Sequence, residues 1–115
     1  MFQDKMVLCA SSAYEKKFCL NENFEGLPQH VKDELKIMCV LFTEDVGGVL
    51  SLEFDENGNL ELNTSADEGD LLYDEIGSVL KIKQMQQEKQ ELFESLETYY
   101  KVFFLGEDIE DDNGD

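Results

Sequence analysis

The segment VLSLEFDENGNLELNT, residues 49–64, alternates apolar and polar side chains on either side of a turn. Leu50, Leu52 and Phe54 alternate with Ser51 and Glu53, and Leu60, Leu62 and Thr64 alternate with Glu61 and Asn63. This period of two is that of strands with one face toward a core. A two-residue Asn57-Gly58 turn would set Phe54 opposite Glu61 and mix the faces. A three-residue Glu56-Asn57-Gly58 loop, with Gly58 at the positive-φ position, sets Phe54 opposite Leu60 and Leu52 opposite Leu62. A slip of one residue would turn every side chain to the wrong face, so the second register is expected. Burying Leu50, Leu52, Phe54, Leu60 and Leu62 contributes ~1.5–3 kcal/mol each, set against the entropy of ordering the chain.

Upstream, Pro28 suits a first helical position, where its missing N–H costs nothing. Leu27, Val31, Leu35, Met38 and Phe42 then recur at helical spacing, which predicts a helix over 28–45 closed by Gly47-Gly48. Residues 37–42, IMCVLF, are apolar on every side, so this half of the helix should be buried against more than one partner. Met6–Ala10 and Lys17–Leu20 are short apolar runs separated by SSAYEK, and read as a strand pair; a short helix over Asp4–Tyr14 is the alternative.

Downstream, Ser65-Ala66-Asp67-Glu68 has the form of a capping box, and no Pro interrupts residues 70–104. A continuous helix over ~70–104 would run roughly 52 Å, longer than the ~35 Å diameter of a compact domain of this size. It must therefore break, with Gly77 the expected point, or project from the globule. Ile82, Met85, Lys89, Leu92, Leu96, Tyr99 and Phe103 recur at spacings of 3 and 4, a heptad stripe with one polar interruption. Such a stripe packs either on the chain's own core or on a second copy, and a lone polar position such as Lys89 can set the register of a helix pair.

The fold expected is α+β: a small antiparallel sheet, made of the N-terminal strand pair and the 49–64 hairpin, covered by helix 28–45 and a long C-terminal helix over ~70–104. One domain spans 1–105. Residues 106–115 form an acidic tail with Ile109 as its one apolar side chain and are expected to be disordered.

The chain has 115 residues and a formal net charge of −18, with 9 Lys and no Arg against 27 Asp and Glu; the tail carries six of those acids. That balance argues against binding a nucleic-acid backbone or an anionic membrane surface. No apolar run approaches the ~18–20 residues of a membrane helix, and no signal-peptide pattern opens the chain. Cys9, Cys19 and Cys39 are odd in number, without CxxC spacing, and lie in apolar runs, as expected of free thiols in a reduced cytoplasmic protein. Cys19, alternating with Phe18 and Leu20, is the one expected to face solvent.

Little in the sequence points to catalysis. His30 is the single His, Ser11-Ser12 has no identifiable base, and no phosphate-loop, dinucleotide or metalloprotease signature occurs. Asp55, Asn57 and Asn59 imitate the first half of a calcium loop, but Leu60 stands where Gly is needed and Ala66 where Glu is needed. Asp70 and Asp74, four apart with Glu75 beside them, form the remaining acidic cluster within residues 67–75. Their mutual repulsion could be relieved by a divalent cation, by a Lys from elsewhere, or by solvent.

MVLCASSAYEKKF, LPQHVKDELKIMCVLFTEDVGG, ADEGDLLYDEIGSVLKIKQ and YYKVFFLGE together resemble a small uncharacterised bacterial family of short, acidic, single-domain proteins. The resemblance covers about residues 6–107. It implies a bacterial, cytoplasmic, stand-alone domain and brings no catalytic, cofactor or metal residue with it.

The function expected is a non-enzymatic protein–protein interaction module that homodimerises through the helix at 79–104, without cofactor, nucleic acid or membrane. Two alternatives belong to other classes. One is a divalent-metal-binding protein or small hydrolase using the carboxylates around 67–75. The other is an acidic mimic or inhibitor of a basic partner.

Overall fold

The computed structural model describes residues 5–107. The acidic tail read at 106–115 lies, from residue 108 onward, outside the described residues. The architecture is α+β. Four antiparallel strands, β1 (Met6–Ser12), β2 (Lys17–Leu20), β3 (Val49–Phe54) and β4 (Leu60–Ser65), lie in the order β2-β1-β3-β4. Three helices complete the fold: α1 (Gln29–Val46), α2 (Glu75–Glu88) and α3 (Gln90–Phe103).

The hairpin has the expected register, with Phe54 paired to Leu60 and Leu52 to Leu62. Asp55 and Asn59 close the three-residue loop, and Gly58 takes φ 87°. The N-terminal runs form a strand pair, with Ser12 opposite Lys17 and Cys9 opposite Leu20. A bulge between Val7 and Cys9 places both Leu8 and Cys9 in the core. Leu50, Leu52 and Phe54 are fully buried. Leu60 and Leu62, expected in the core, are only half-buried, because β4 is an edge strand. Its Leu60 N–H is covered from α3 by the Glu97 carboxylate at 2.8 Å.

α1 begins one residue after Pro28 and ends at Gly47, near the expected bounds. Its inward face carries Leu35, Met38, Cys39, Phe42 and Val46. Cys39 meets Cys9 of β1 between helix and sheet, and this contact together with burial holds the Cys9 thiol far above its ordinary pKa. Thr43 Oγ1 meets Ser11 Oγ at 2.9 Å, so these two buried hydroxyls satisfy each other across the same interface. The expectation that residues 37–42 would be buried against more than one partner needs correction in part: α1 packs on the sheet and on α2, but Ile37 and Leu41 are exposed, since among the described residues nothing covers that side of α1.

The long C-terminal helix is also corrected. Ser65 ends β4 instead of capping a helix, and the cap is Asp74, whose Oδ1 accepts from Gly77 N–H at 2.8 Å. Gly77 therefore sits in the first turn, where it weakens little, and the break falls at Lys89 (φ −111°, ψ 24°). Two helices of 14 residues result, α2 against α1 and α3 against β4. The bend lets one stripe follow the curvature of the core without projecting from it.

Candidate functional site

The heptad stripe turns inward. Leu96 is 2% exposed, and Ile82, Met85, Leu92 and Tyr99 pack half-buried on the same core. Lys89 reaches Glu34 of α1 at 2.9 Å. It fixes register as a polar seam residue does, but between α1 and the α2–α3 bend of one chain. Only Phe103, 70% exposed, points away from the core.

The surface that sequence periodicity missed is the opposite side of α2. Ser78, Ile82 and Met85 form its inner stripe. Ile76, Val79 and Leu80 form an outer one, with Ile76 at 75% and Leu80 at 61% exposed. Just before the helix, Leu71 is 94% exposed and borders the same groove as Val79. A helix apolar on two faces is suited to being covered on both, and among the described residues only one is covered. The signal was present as the run Val79-Leu80 beside Ile76, outside the heptad positions. Glu75 and Glu88 balance Lys81 and Lys83, so α2 has no net charge in a chain carrying −18. Between α1 and α2 a groove of about 600 Å³ exposes Ile37 and Leu41 and is bridged by Lys81–Asp45 at 3.0 Å.

Two of the acids within residues 67–75, Asp70 and Asp74, have structural tasks. Tyr14 Oη donates to Asp70 Oδ2 at 2.5 Å and accepts from Asp67 N–H at 2.8 Å, tying the β1–β2 turn to the segment before α2. Asp70 Oδ1 accepts from Leu72 N–H at 2.9 Å, and Asp74 caps α2. Among the described residues no three His, Cys, Asp or Glu side chains are grouped to hold a metal ion. His30 lies near Glu34 and Lys89 at the rim of the α1–α2 groove. Cys19 is exposed, as its alternation implied. No described helix is long and apolar enough to cross a membrane.

The Tyr14 hydrogen bond holds the Asp70 carboxyl below the usual carboxylate range, and the same bond raises the phenol of Tyr14. The lowered Asp70 pKa gives a contribution to stability that is present above the unfolded value of about 3.9 and lost as pH falls through the folded value. The raised Tyr14 pKa acts at the other end: its contribution is complete below about pH 10 and lost as pH rises through the folded value. Tyr14→Phe is accordingly expected to speed amide exchange at Asp67 and Leu72. Its stability difference from the parent should shrink below about pH 4. Hydrogen exchange and acid titrations of both chains check this; unchanged exchange at Asp67 would show that the latch does not hold the segment.

Residues 5–108 match the model of a family of unknown function, DUF6145. No curated protein and no solved structure matches the chain.

Proposed function

The chain thus belongs to that family, which carries no activity to transfer, and we propose that it is a non-enzymatic interaction module that pairs with a second copy of itself through the outer face of α2. The observation that carries this reading is the exposed apolar stripe Ile76, Val79 and Leu80, flanked by Leu71, on a helix whose other side is already packed. Each such side chain taken out of water contributes on the order of 1.5–3 kcal/mol.

Charge favours a second copy as the occupant. Two chains of −18 repel wherever their acidic surfaces meet. A two-fold contact brings the same patch of each copy together, so the patch must tolerate itself. α2, with two Glu against two Lys, is neutral and apolar and meets that condition. The dimer seam moves from the buried 79–104 stripe to the other side of its first half.

Sedimentation analysis over a range of protein concentrations tests the reading. The parent chain is expected to associate into a dimer with a melting temperature that rises with protein concentration, and Leu80→Glu to give a folded monomer whose melting temperature does not depend on concentration, since Leu80 is not part of the core. Leu96→Glu, in contrast, puts a charge into the core and should unfold the chain. A parent that stays monomeric at its highest soluble concentration, or a Leu80→Glu chain that stays dimeric, would overturn it.

A further inference from the structure

We propose that the cavity at the β1–β2 end of the sheet binds a small organic phosphate monoester. The cavity measures about 840 Å³ and lies between the β1–β2 turn, the second half of α1 and the Gly47-Gly48 turn. That volume is in the range of small-molecule sites, about 300–1,000 Å³.

Three observations agree. The first is where the cations are. Of the nine lysines, Lys5, Lys32, Lys81 and Lys89 are ion-paired, whereas Lys16, Lys17 and Lys36 make no ion pair among the described residues and all line this one cavity. In a chain with three acids for every lysine, three lysines without an ion pair at one cavity leave a local excess of positive charge that an anion would offset. The same walls carry three carboxylates: Asp45 is paired with Lys81, whereas Asp70, hydrogen-bonded to the neutral Tyr14, and Glu44 keep their charge, so the lysines exceed the unpaired acids by one. At physiological ionic strength the screening length is about 8 Å, so this local balance counts for more than the acidic surface farther away.

The second is the backbone at Lys16. It is the one described residue other than glycine with positive φ, at 54°. Gly or Asn takes that conformation with least strain. A lysine there retains a side chain that the turn itself does not require.

The third is the rest of the lining. Phe18 and Val40 offer an apolar wall beside the lysines, and the Ser12 hydroxyl lies at its edge. A phosphate monoester carries about −1.5 to −2 at neutral pH, which suits several ammonium groups better than a single carboxylate does. Its carbon skeleton would cover the apolar wall.

An amide NMR titration of the full chain with phenyl phosphate, inorganic phosphate and phenol tests this. Phenyl phosphate is expected to shift Ser12, Lys16 and Thr43 saturably, inorganic phosphate to shift the same amides more weakly, and phenol to shift none. Lys36→Gln and Lys16→Gly should each weaken phenyl phosphate about tenfold, the loss of one charge-assisted contact. Lys16→Gly should also raise the melting temperature, since glycine adopts φ 54° without strain, which separates a binding role from a structural one. The absence of saturable shifts would overturn the proposal. So would shifts spread equally to Lys83 and Lys101, or binding unchanged in both variants.

Discussion

Phe54→Ala is expected to lower the unfolding free energy by about 3–5 kcal/mol, a large share of the 5–15 kcal/mol typical of a domain. Phe54 is fully buried at the end of β3, where five rings from three parts of the chain meet. Its ring lies against Tyr100 with centroids 4.3 Å apart and planes 4° from parallel, and 5.8 Å from Phe24. Phe104 stacks in turn on Phe24 at 4.9 Å and on Tyr100 at 5.0 Å. Deleting the Phe54 ring leaves a void that the sheet backbone cannot close, and the lost dispersion contacts add to the lost transfer energy. Phe103→Ala is the control, since that exposed ring meets Tyr99 alone among the described rings, at 4.8 Å, and should cost about 1 kcal/mol or less. Urea unfolding of both variants provides the measurement; equal losses would show that the aromatic cluster is not the fold's anchor.

Gly48→Ala should be nearly as damaging, at about 2–5 kcal/mol when the left-handed conformation and the steric conflict are taken together. Gly48 has φ 70°, and a Cβ there would stand 2.5 Å from the Ser65 carbonyl oxygen and 2.9 Å from the Tyr73 ring. The first neighbour is backbone at the end of β4 and cannot swing aside. Gly48 also supplies the carbonyl that accepts from Ala13 N–H at 2.8 Å, so displacing it disturbs the β1–β2 turn as well. Gly69→Ala separates the two effects. Gly69 has φ 81° but open space around its Cβ position, so it should lose only the conformational part, about 1–2 kcal/mol. If thermal unfolding shows the two variants equally destabilised, the close approach of Gly48 to Ser65 and Tyr73 has no energetic weight.

Much of the fold was legible because its signals are local. Alternation over residues 49–64 and one glycine at the turn are enough to specify the hairpin, since a slip would bury Glu53 and Glu61. Pro28 and Gly47 mark the ends of α1 by their backbone preferences alone. The start of α2 was misread because Ser65-Ala66-Asp67-Glu68 satisfies the spacing of a capping box, while the β3–β4 ladder takes Ser65 as a strand residue. Asp74 offers an equally good cap nine residues later. The outer face of α2 was hidden by the regularity of the heptad stripe, which drew attention to Ile82 and Leu96 and away from Ile76 and Leu80.

The chain's own order of residues was sufficient for element types, the hairpin register and the α+β class, because those depend on neighbours a few positions apart. Which apolar stripe is covered was decided only in three dimensions. A 3.5-residue repeat states that a helix has a face; what meets that face depends on segments far away, as when Lys89 finds Glu34 across 55 positions. The same holds for Lys16, Lys17 and Lys36, gathered at one cavity only when the β1–β2 turn folds back onto α1.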